Sequence, residues 1–186
     1  HEVPSGTQAF DWTVPDEWNV DEAYLITPDG ERICDYQKHN LHLVGYSTPG
    51  EHKLSLEEIQ SHLHSLPDLP EAIPYVTSYY KRDWGFCLPH RQREKLPPGE
   101  YKAVIRGSLS PGSMTYGEVY FPSAGGSEEE VFISTYICHP SMANNELSGP
   151  VVSTFLAKWL RDLPSRRYNY RLIFVPETIG SITYLS

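Results

Sequence analysis

A strand–helix–strand pattern in the last third of the chain constrains its fold more than any other feature of the sequence. Residues 131–138 and 170–175 are short apolar runs rich in β-branched and aromatic side chains, which is typical of strands covered on both faces. The segment between them has room for one helix and two loops. The pattern therefore predicts two parallel strands joined by a right-handed helical crossover.

The segment between the two runs has the apolar spacing of an α-helix. Apolar side chains recur at every fourth position in two rows, Leu147, Val151, Phe155 and Trp159, and then Val152, Leu156 and Leu160. We predict that this helix ends near Leu163. We place Pro150 in its first turn, because a proline further inside a helix loses a hydrogen bond and clashes with the preceding turn.

The earlier part of the chain has shorter predicted strands and more turns. Asp29-Gly30, between residues 23–27 and 31–36, predicts a hairpin, and further strands are predicted at 41–47, 75–80, 101–108 and 113–121. Ser55 and Glu58 have the spacing of a capping box at the start of a helix predicted over 55–66. We therefore predict an α/β fold with two parts. Residues 1–13 and 123–186 form a partial parallel-sheet domain, and residues 14–122 form a β-rich inserted lobe.

A single strand–helix–strand unit is too small to stand alone, because a parallel sheet needs more strands and helices on both faces. We therefore expect the 186 residues to be a piece of a longer protein. We also expect uncovered apolar surface, which either stays exposed or is buried against another chain, as in a homo-oligomer.

The charge balance argues against several classes of partner. The chain has 24 acidic and 15 basic residues and a formal net charge of −9. Phosphate binding needs clustered Lys and Arg, so we expect neither a nucleic-acid partner nor an anionic membrane surface. Cys34, Cys87 and Cys138 form no C-x-x-C pair and are odd in number, so we expect buried, reduced thiols in a cytoplasmic protein.

Two polar loops follow the predicted parallel strands and carry the candidate chemistry. His139, Asn145 and Glu146 come after the first strand, and Glu177 comes after the second. The carboxyl ends of parallel strands meet at one edge of a sheet, where ligands bind in open α/β folds. Imidazole and carboxylate groups are the zinc ligands to expect where thiolates are lacking. The spacing therefore predicts a metal site at this edge.

Each of these residues also has a structural interpretation. His139 can end the strand with its ring bonded to the backbone, and Asn145 can be a turn or capping residue. Glu146 gains from the helix dipole with or without a metal. Glu177 is the hardest to explain in this way, because a carboxylate leaving an apolar strand needs a metal or N–H groups as partners.

Five segments of the chain resemble a bacterial family of aminopeptidase-like proteins, members of which carry a domain of unknown function and occur near polysaccharide-biosynthesis genes. The segments are HEVPSGTQAFDWTVPDEW (1–18), NLHLVGYS (40–47), IPYVTSYYKRDWGFC (73–87), STYICHPSMANNELSGP (134–150) and PETIGSITYLS (176–186). They are long and specific, and the resemblance covers essentially the whole chain.

That family in turn resembles the co-catalytic zinc aminopeptidases of peptidase family M twenty-eight. The resemblance implies that His139 is the first zinc ligand, that Asn145 stands where those enzymes have a bridging Asp, and that Glu177 belongs to their Glu-Glu pair. It implies a zinc-peptidase-like fold, one or two zinc ions, and a peptide or aminoacyl substrate.

The sequence departs from that family's pattern at several positions. Asn145 is not a carboxylate, although adjacent Glu146 supplies one. Pro176 precedes Glu177, so one of the two expected glutamates is missing. Ser141 stands two residues after His139, where those enzymes have an Asp.

Two functions remain open at this point. The first is a zinc-dependent aminopeptidase-like hydrolase, present here as a fragment that is inactive alone, with Glu177 as the general base and His139, Asn145 and Glu146 as metal ligands. The second is a non-catalytic binding or assembly module with a degenerate metal site. In that case exposed aromatic side chains would serve a carbohydrate or protein partner, with core packing as the alternative; they are Trp12, Trp18, Tyr79, Tyr80 and Trp84.

Overall fold

The structure is a computed structural model that describes residues 1–78, 80–139 and 141–186. The chain divides into two compact units, one formed by residues 17–110 and the other by residues 1–16 and 111–186. Together they make a mixed α/β protein with several small sheets.

Thirteen strands and four α-helices are present in the described residues. The strands are β1 (Glu2–Pro4), β2 (Gln8–Ala9), β3 (Trp12–Thr13), β4 (Glu17–Ile26), β5 (Arg32–Ile33), β6 (Gly50–Ser55), β7 (Leu63–His64), β8 (Phe86–Cys87), β9 (Glu100–Ser110), β10 (Ser113–Thr115), β11 (Gly117–Phe121), β12 (Glu130–Tyr136) and β13 (Asn169–Val175). The helices are α1 (Leu56–Ile59), α2 (His90–Arg93), α3 (Asn144–Asp162) and α4 (Ile179–Leu185).

The unit of residues 17–110 is built on a four-stranded antiparallel sheet in the order β5-β4-β9-β6. The hairpin predicted around Asp29-Gly30 is confirmed, because β4 pairs with β5 across that turn. Its core packs small and large apolar side chains from the sheet against the segments that cross it. Leu25, Phe86, Tyr101 and Ile105 are all nearly or fully buried there.

Three predictions in this unit were wrong. Residues 41–47 form a 3₁₀ turn, Asn40–His42, and isolated bridges in place of a strand. Residues 75–80 contain only a bridge at Thr77, and Tyr79 lies outside the described residues. The helix expected over 55–66 keeps its Ser55–Glu58 capping box, but α1 has only four residues before a 3₁₀ turn. The chain then pairs as β7 with β8, and this tertiary pairing overrides the local helical pattern.

The other unit contains the predicted parallel pair. Its sheet has the order β11-β13-β12, and β12 runs parallel to β13, as predicted. The linking helix α3 ends at Asp162, close to the predicted Leu163. Strand β11 pairs antiparallel with β13, so residues 117–121 belong to this sheet and not to the lobe of residues 14–122.

The two helices of this unit cover opposite faces of its sheet. Gly149 of α3 lies against Thr135 of β12. Tyr184 of α4 stacks on Phe132 of the same strand, with ring centroids 5.6 Å apart. Side chains three residues apart on a strand point to opposite faces, so α3 and α4 sandwich the sheet.

Pro150 does not lie in the first turn of its helix, contrary to the prediction. Helix α3 begins at Asn144, which places Pro150 in the second turn. Ala143, the residue before the helix, has a positive φ (42°) with ψ −117°, and the chain turns there directly into the helix. The backbone carbonyl of Glu146 therefore lacks the N–H that a residue other than proline would offer it.

The apolar stripe of α3 faces away from the sheet. Ser153 and Leu160 are buried against it, whereas Leu147, Val151, Val152, Phe155 and Trp159 are each 50–68% exposed. The expectation that β12 is covered on both faces was also wrong. Val131 and Phe132 point to opposite faces of this strand and are 37% and 47% exposed, so α3 and α4 cover each face only in part. No helix in these residues is long and apolar enough to cross a membrane.

Gly149 sets how closely α3 approaches the sheet. A Cβ atom at this position would stand 2.2 Å from Thr135 Oγ1, well inside contact distance. We therefore expect Gly149→Ala to lower the free energy of unfolding by about 1–3 kcal/mol, although alanine in a helix normally stabilises by about 1 kcal/mol. Chemical denaturation measures the change.

The matched control is the double variant Gly149→Ala/Thr135→Ala. It removes the clashing oxygen and leaves Thr135 Cβ, which stands 3.4 Å from the added atom. Most of the loss should return in this background. A single Gly149→Ala variant as stable as the parent would contradict the close approach.

Candidate functional site

The carboxyl ends of β12 and β13 lie side by side and carry the candidate residues. Tyr136 is paired with Val175, and the Ile137 N–H donates to the Val175 carbonyl at 2.9 Å, which extends the pairing by one residue. The loops that hold His139 and Glu177 therefore leave the same edge of the sheet, as the sequence predicted.

Glu146 is held by the end of β12. It is the third residue of α3 and is 8% exposed. Its Oε2 accepts hydrogen bonds from the Cys138 backbone N–H at 3.1 Å and from the Cys138 thiol at 3.2 Å. These donors and the positive end of the helix dipole offset the cost of burying a carboxylate.

Cys138 differs from the other two cysteines. Cys34 and Cys87 are buried, as predicted, but Cys138 is exposed, and that part of the prediction was wrong. Its sulfur nevertheless lies against Glu146. Partial burial and the Glu146 carboxylate together raise the thiol pKa to about 11, although the backbone N–H groups of Glu177 and His139 act in the opposite direction. The group is therefore a protonated S–H donor at neutral pH.

His139 and Asn145 each have a defined partner. The Nδ1 atom of His139 accepts a hydrogen bond from the Ser141 backbone N–H at 3.1 Å, so the proton of the neutral ring lies on Nε2. The Asn145 side-chain oxygen accepts from the Tyr136 hydroxyl at 3.0 Å. This second contact fastens the start of α3 to the end of β12.

Glu177 stands at the entry to a strained turn. The Ile179 N–H donates to the Glu177 carbonyl at 2.6 Å, and Thr178 between them has φ 57° and ψ −66°. These angles define the rare γ-turn with positive φ, which costs a β-branched residue about 1–3 kcal/mol. Gly180 packs so closely on Pro176 and Val175 that a Cβ atom there would stand 2.6 Å from Pro176 Cδ. The side chain of Glu177, at the start of this sharp turn, is exposed.

These residues share one edge of the sheet without assembling into a metal centre in this conformation. Within the described ranges, no three His, Cys, Asp or Glu residues are close enough together to hold an ion. Their donor chemistry does suit zinc, which takes imidazole nitrogen and carboxylate oxygen. The shared ion between His139 and Glu177 stays a prediction.

The contact between Cys138 and Glu146 was not predicted from the sequence. The sequence predicts a buried thiol here, although the position of Cys138 directly before His139 at a strand end is a visible signal. The positive φ of Thr178 could not be predicted, because no local sequence pattern indicates that a threonine will adopt it.

Two of the five aromatic side chains proposed as a binding surface, Trp18 and Trp84, are stacked on other rings within the fold. The Trp84 ring is stacked between the imidazoles of His52 and His62, at 4.3 and 3.9 Å. Trp18 stacks on Tyr46 and donates its indole N–H to the Ser47 carbonyl. Trp12 is half-buried and Tyr80 is 67% exposed, whereas Tyr79 lies outside the described residues.

We expect Glu146→Gln to make the Cys138 thiol more reactive. The substitution removes the charge that helps to raise the thiol pKa, so more thiolate exists at a given pH. Alkylation by iodoacetamide at pH 8 should become about three- to tenfold faster, because the lower nucleophilicity of the thiolate offsets part of the gain. Mass spectrometry of the labelled peptide measures the rate.

Glu129→Gln, an exposed change of the same kind away from this contact, is the matched control and should leave the alkylation rate unchanged. Equal or slower labelling in Glu146→Gln would contradict the contact between Glu146 and Cys138.

We expect Thr178→Gly to stabilise the fold. Glycine adopts positive φ without the steric penalty that threonine meets, and this gain exceeds the extra freedom of glycine in the unfolded chain. The free energy of unfolding should rise by about 1 kcal/mol. Thr178→Ala keeps a Cβ atom and should gain clearly less. A loss of stability in the glycine variant would show that the turn is not strained.

Comparison with known proteins places the chain in a family. A relative from Clostridium acetobutylicum is 49% identical over 186 residues, which is 100% of this chain and 42% of the relative. It bears the provisional name of a polysaccharide biosynthesis protein with an aminopeptidase-like domain. A crystal structure from the same organism, provisionally named a peptidase, superposes with a TM-score of 0.89 at 48% identity, covering 100% of this chain and 43% of that one.

The chain thus spans about two-fifths of the length of the relatives it matches. A family model described as Domain of unknown function (DUF4910) matches residues 1–186. The chain therefore belongs to this family, DUF4910.

Proposed function

We propose that this chain contributes the metal-binding edge of a zinc-dependent aminopeptidase-like hydrolase. The observation that carries the proposal is the placement of His139, Glu146 and Glu177 at the carboxyl ends of one pair of parallel strands. The peptidase-like names of the two relatives support the same class of activity.

His139, Asn145 and Glu146 are the residues that would hold the metal. His139 offers imidazole nitrogen and Glu146 offers a carboxylate, and both are donors that zinc takes. The Asn145 oxygen is a weaker donor, and in this conformation it is bonded to Tyr136. Binding through Nδ1 would displace the Ser141 N–H, and binding through Nε2 would move the ring proton to Nδ1, so either mode would end the contact with Ser141.

Glu177 is the proposed general base. A zinc ion held by these residues would supply Lewis-acid chemistry, which would polarise the scissile carbonyl and lower the pKa of a bound water. The Glu177 carboxylate accepts a proton from the attacking water and passes it to the leaving amine. Its exposed position on the γ-turn gives it access to a substrate at the sheet edge.

The principal test uses the protein as its complete gene encodes it, loaded with zinc and assayed on a panel of aminoacyl p-nitroanilides. We expect hydrolysis that a chelator abolishes and that added zinc restores. Glu177→Gln should lower kcat about 10²–10⁴-fold, the usual contribution of a general base. Elemental analysis should show unchanged zinc content in this variant.

Glu128→Gln, an exposed substitution with the same change of charge, is the matched control and should keep full activity. Loss of zinc in Glu177→Gln would make Glu177 a ligand in place of the base. A protein that neither binds zinc nor cleaves any member of the panel would contradict the hydrolase, and the non-catalytic binding module would replace it.

A further inference from the structure

We propose that the outward stripe of α3 is an interface within the complete protein, covered by a part of the same polypeptide that lies outside these 186 residues. The stripe consists of Leu147, Val151, Val152, Phe155 and Trp159, each of which is 50–68% exposed. The inference goes beyond the proposed function and does not depend on it, because the interface is defined by packing and its tests need no activity.

The stripe is one continuous surface on the side of α3 that faces away from the sheet. Ser153 and Leu160 are buried on the opposite side of the helix, where it packs on the sheet. Successive residues of an α-helix are rotated by about 100°, so Val151 and Phe155 point almost directly away from Ser153. Side chains four positions apart are neighbours, and this spacing extends the apolar ridge from Leu147 to Trp159.

The composition of α3 is typical of a helix that is covered on both sides. No charged residue occurs between Glu146 and Lys158, so residues 147–157 bring no charge to either side. A helix whose outer side faces water normally carries charged and polar residues there. Permanent interfaces, in contrast, are depleted of charged residues at their centre. The stripe therefore suits an apolar cover that stays in place.

The strand on which α3 packs is also uncovered at its outer edge. Among the described residues β12 lies at one end of its sheet, beside β13. Soluble proteins commonly protect such an edge with Lys, Pro or a bulge, because its unpaired N–H and C=O groups recruit other strands. Residues 131–136 contain neither a charged residue nor a proline. The surface that lacks a cover therefore extends from α3 to β12.

The lengths of the relatives indicate where the cover comes from. The relative of 49% identity and the crystal structure both match the whole of this chain, which covers only 42% and 43% of their own lengths. More than half of each related polypeptide therefore lies outside the matched region. A segment of the same polypeptide can cover the stripe without the loss of translational freedom that a separate molecule pays on binding. The occupant is accordingly a part of the same chain, with an apolar side that meets α3.

The first experiment identifies what lies on the stripe in the product of the complete gene. Phe155→p-benzoylphenylalanine replaces one aromatic side chain with a photo-reactive one, and mass spectrometry identifies the peptides that it captures on irradiation. We expect cross-links within one polypeptide, to residues outside the matched 186. The same photo-reactive residue in place of Glu129, which is exposed and charged, is the matched control and should react only with water.

Three results of this experiment would overturn the inference. Cross-links between two molecules would show that a second copy covers the stripe. Cross-links to residues 17–110 would show that the other unit of this chain covers it. A photo-reactive residue at Phe155 that reacts only with water would show that the stripe faces the solvent.

The second experiment makes a smaller change, so it also serves if the photo-reactive variant does not fold. Val152→Cys introduces a thiol of similar size into the stripe, and its alkylation is measured by mass spectrometry of the labelled peptide. In the complete protein this thiol should react about 10²-fold more slowly, or slower still, in the native state than in urea, at every protein concentration tested. Glu129→Cys, the matched control, should react at similar rates in both states.

Rapid alkylation of native Val152→Cys would overturn the inference. Protection that appears only at high protein concentration would do so as well, because a second copy of the protein would then be the cover.

Discussion

The main-chain pairing of β12 with β13 is the constraint on which the rest of this unit depends. Strand β13 lies in the middle of its sheet, and Leu172, Ile173 and Val175 are almost fully buried. Because the strands are parallel and paired up to their last residues, the loops that follow them begin side by side at the same edge of the sheet. The hydrogen bonds of the candidate site join the end of β12 to the start of α3, next to this edge.

Close packing at two glycines then determines how far the loops can extend. Because Gly149 has no Cβ atom, α3 can approach Thr135 closely. Gly180 likewise allows α4 to approach the end of β13. Each helix therefore starts almost where its strand stops, and each start is marked by a residue other than glycine at positive φ, Ala143 or Thr178. The polar groups of both loops therefore lie close to the ends of their strands.

Local patterns in the sequence predicted the elements that carry a clear local signal. The parallel strands, the end of α3, the hairpin at Asp29-Gly30 and the capping box at Ser55 all follow from periodicity and turn chemistry. The same reasoning failed where a tertiary pairing overrides the local signal. Leu63 leaves the predicted helix to pair with Phe86, which lies far along the chain.

The candidate site was likewise predictable in part from the sequence. Its position at the sheet edge could be predicted, because strand ends are visible in a sequence. The partners of each side chain could not, since the bonds from Cys138 to Glu146 and from Tyr136 to Asn145 depend on the closeness of α3 to β12. That closeness comes from a glycine and an unusual backbone conformation, neither of which periodicity reports.

The outward stripe of α3 has a thermodynamic consequence for how this chain behaves in solution. Five large apolar side chains face the solvent there, from Leu147 to Trp159. Burial of one fully exposed side chain of this kind contributes about 1.5–3 kcal/mol, and these five have roughly half to two-thirds of their surface left to bury. Covering all five would contribute about 4–10 kcal/mol, which is comparable with the whole stability of a small domain, about 5–15 kcal/mol. The extent to which the chain associates with itself should therefore depend steeply on concentration and temperature. Mild detergents or lower ionic strength should keep the chain dispersed more effectively than a change of pH.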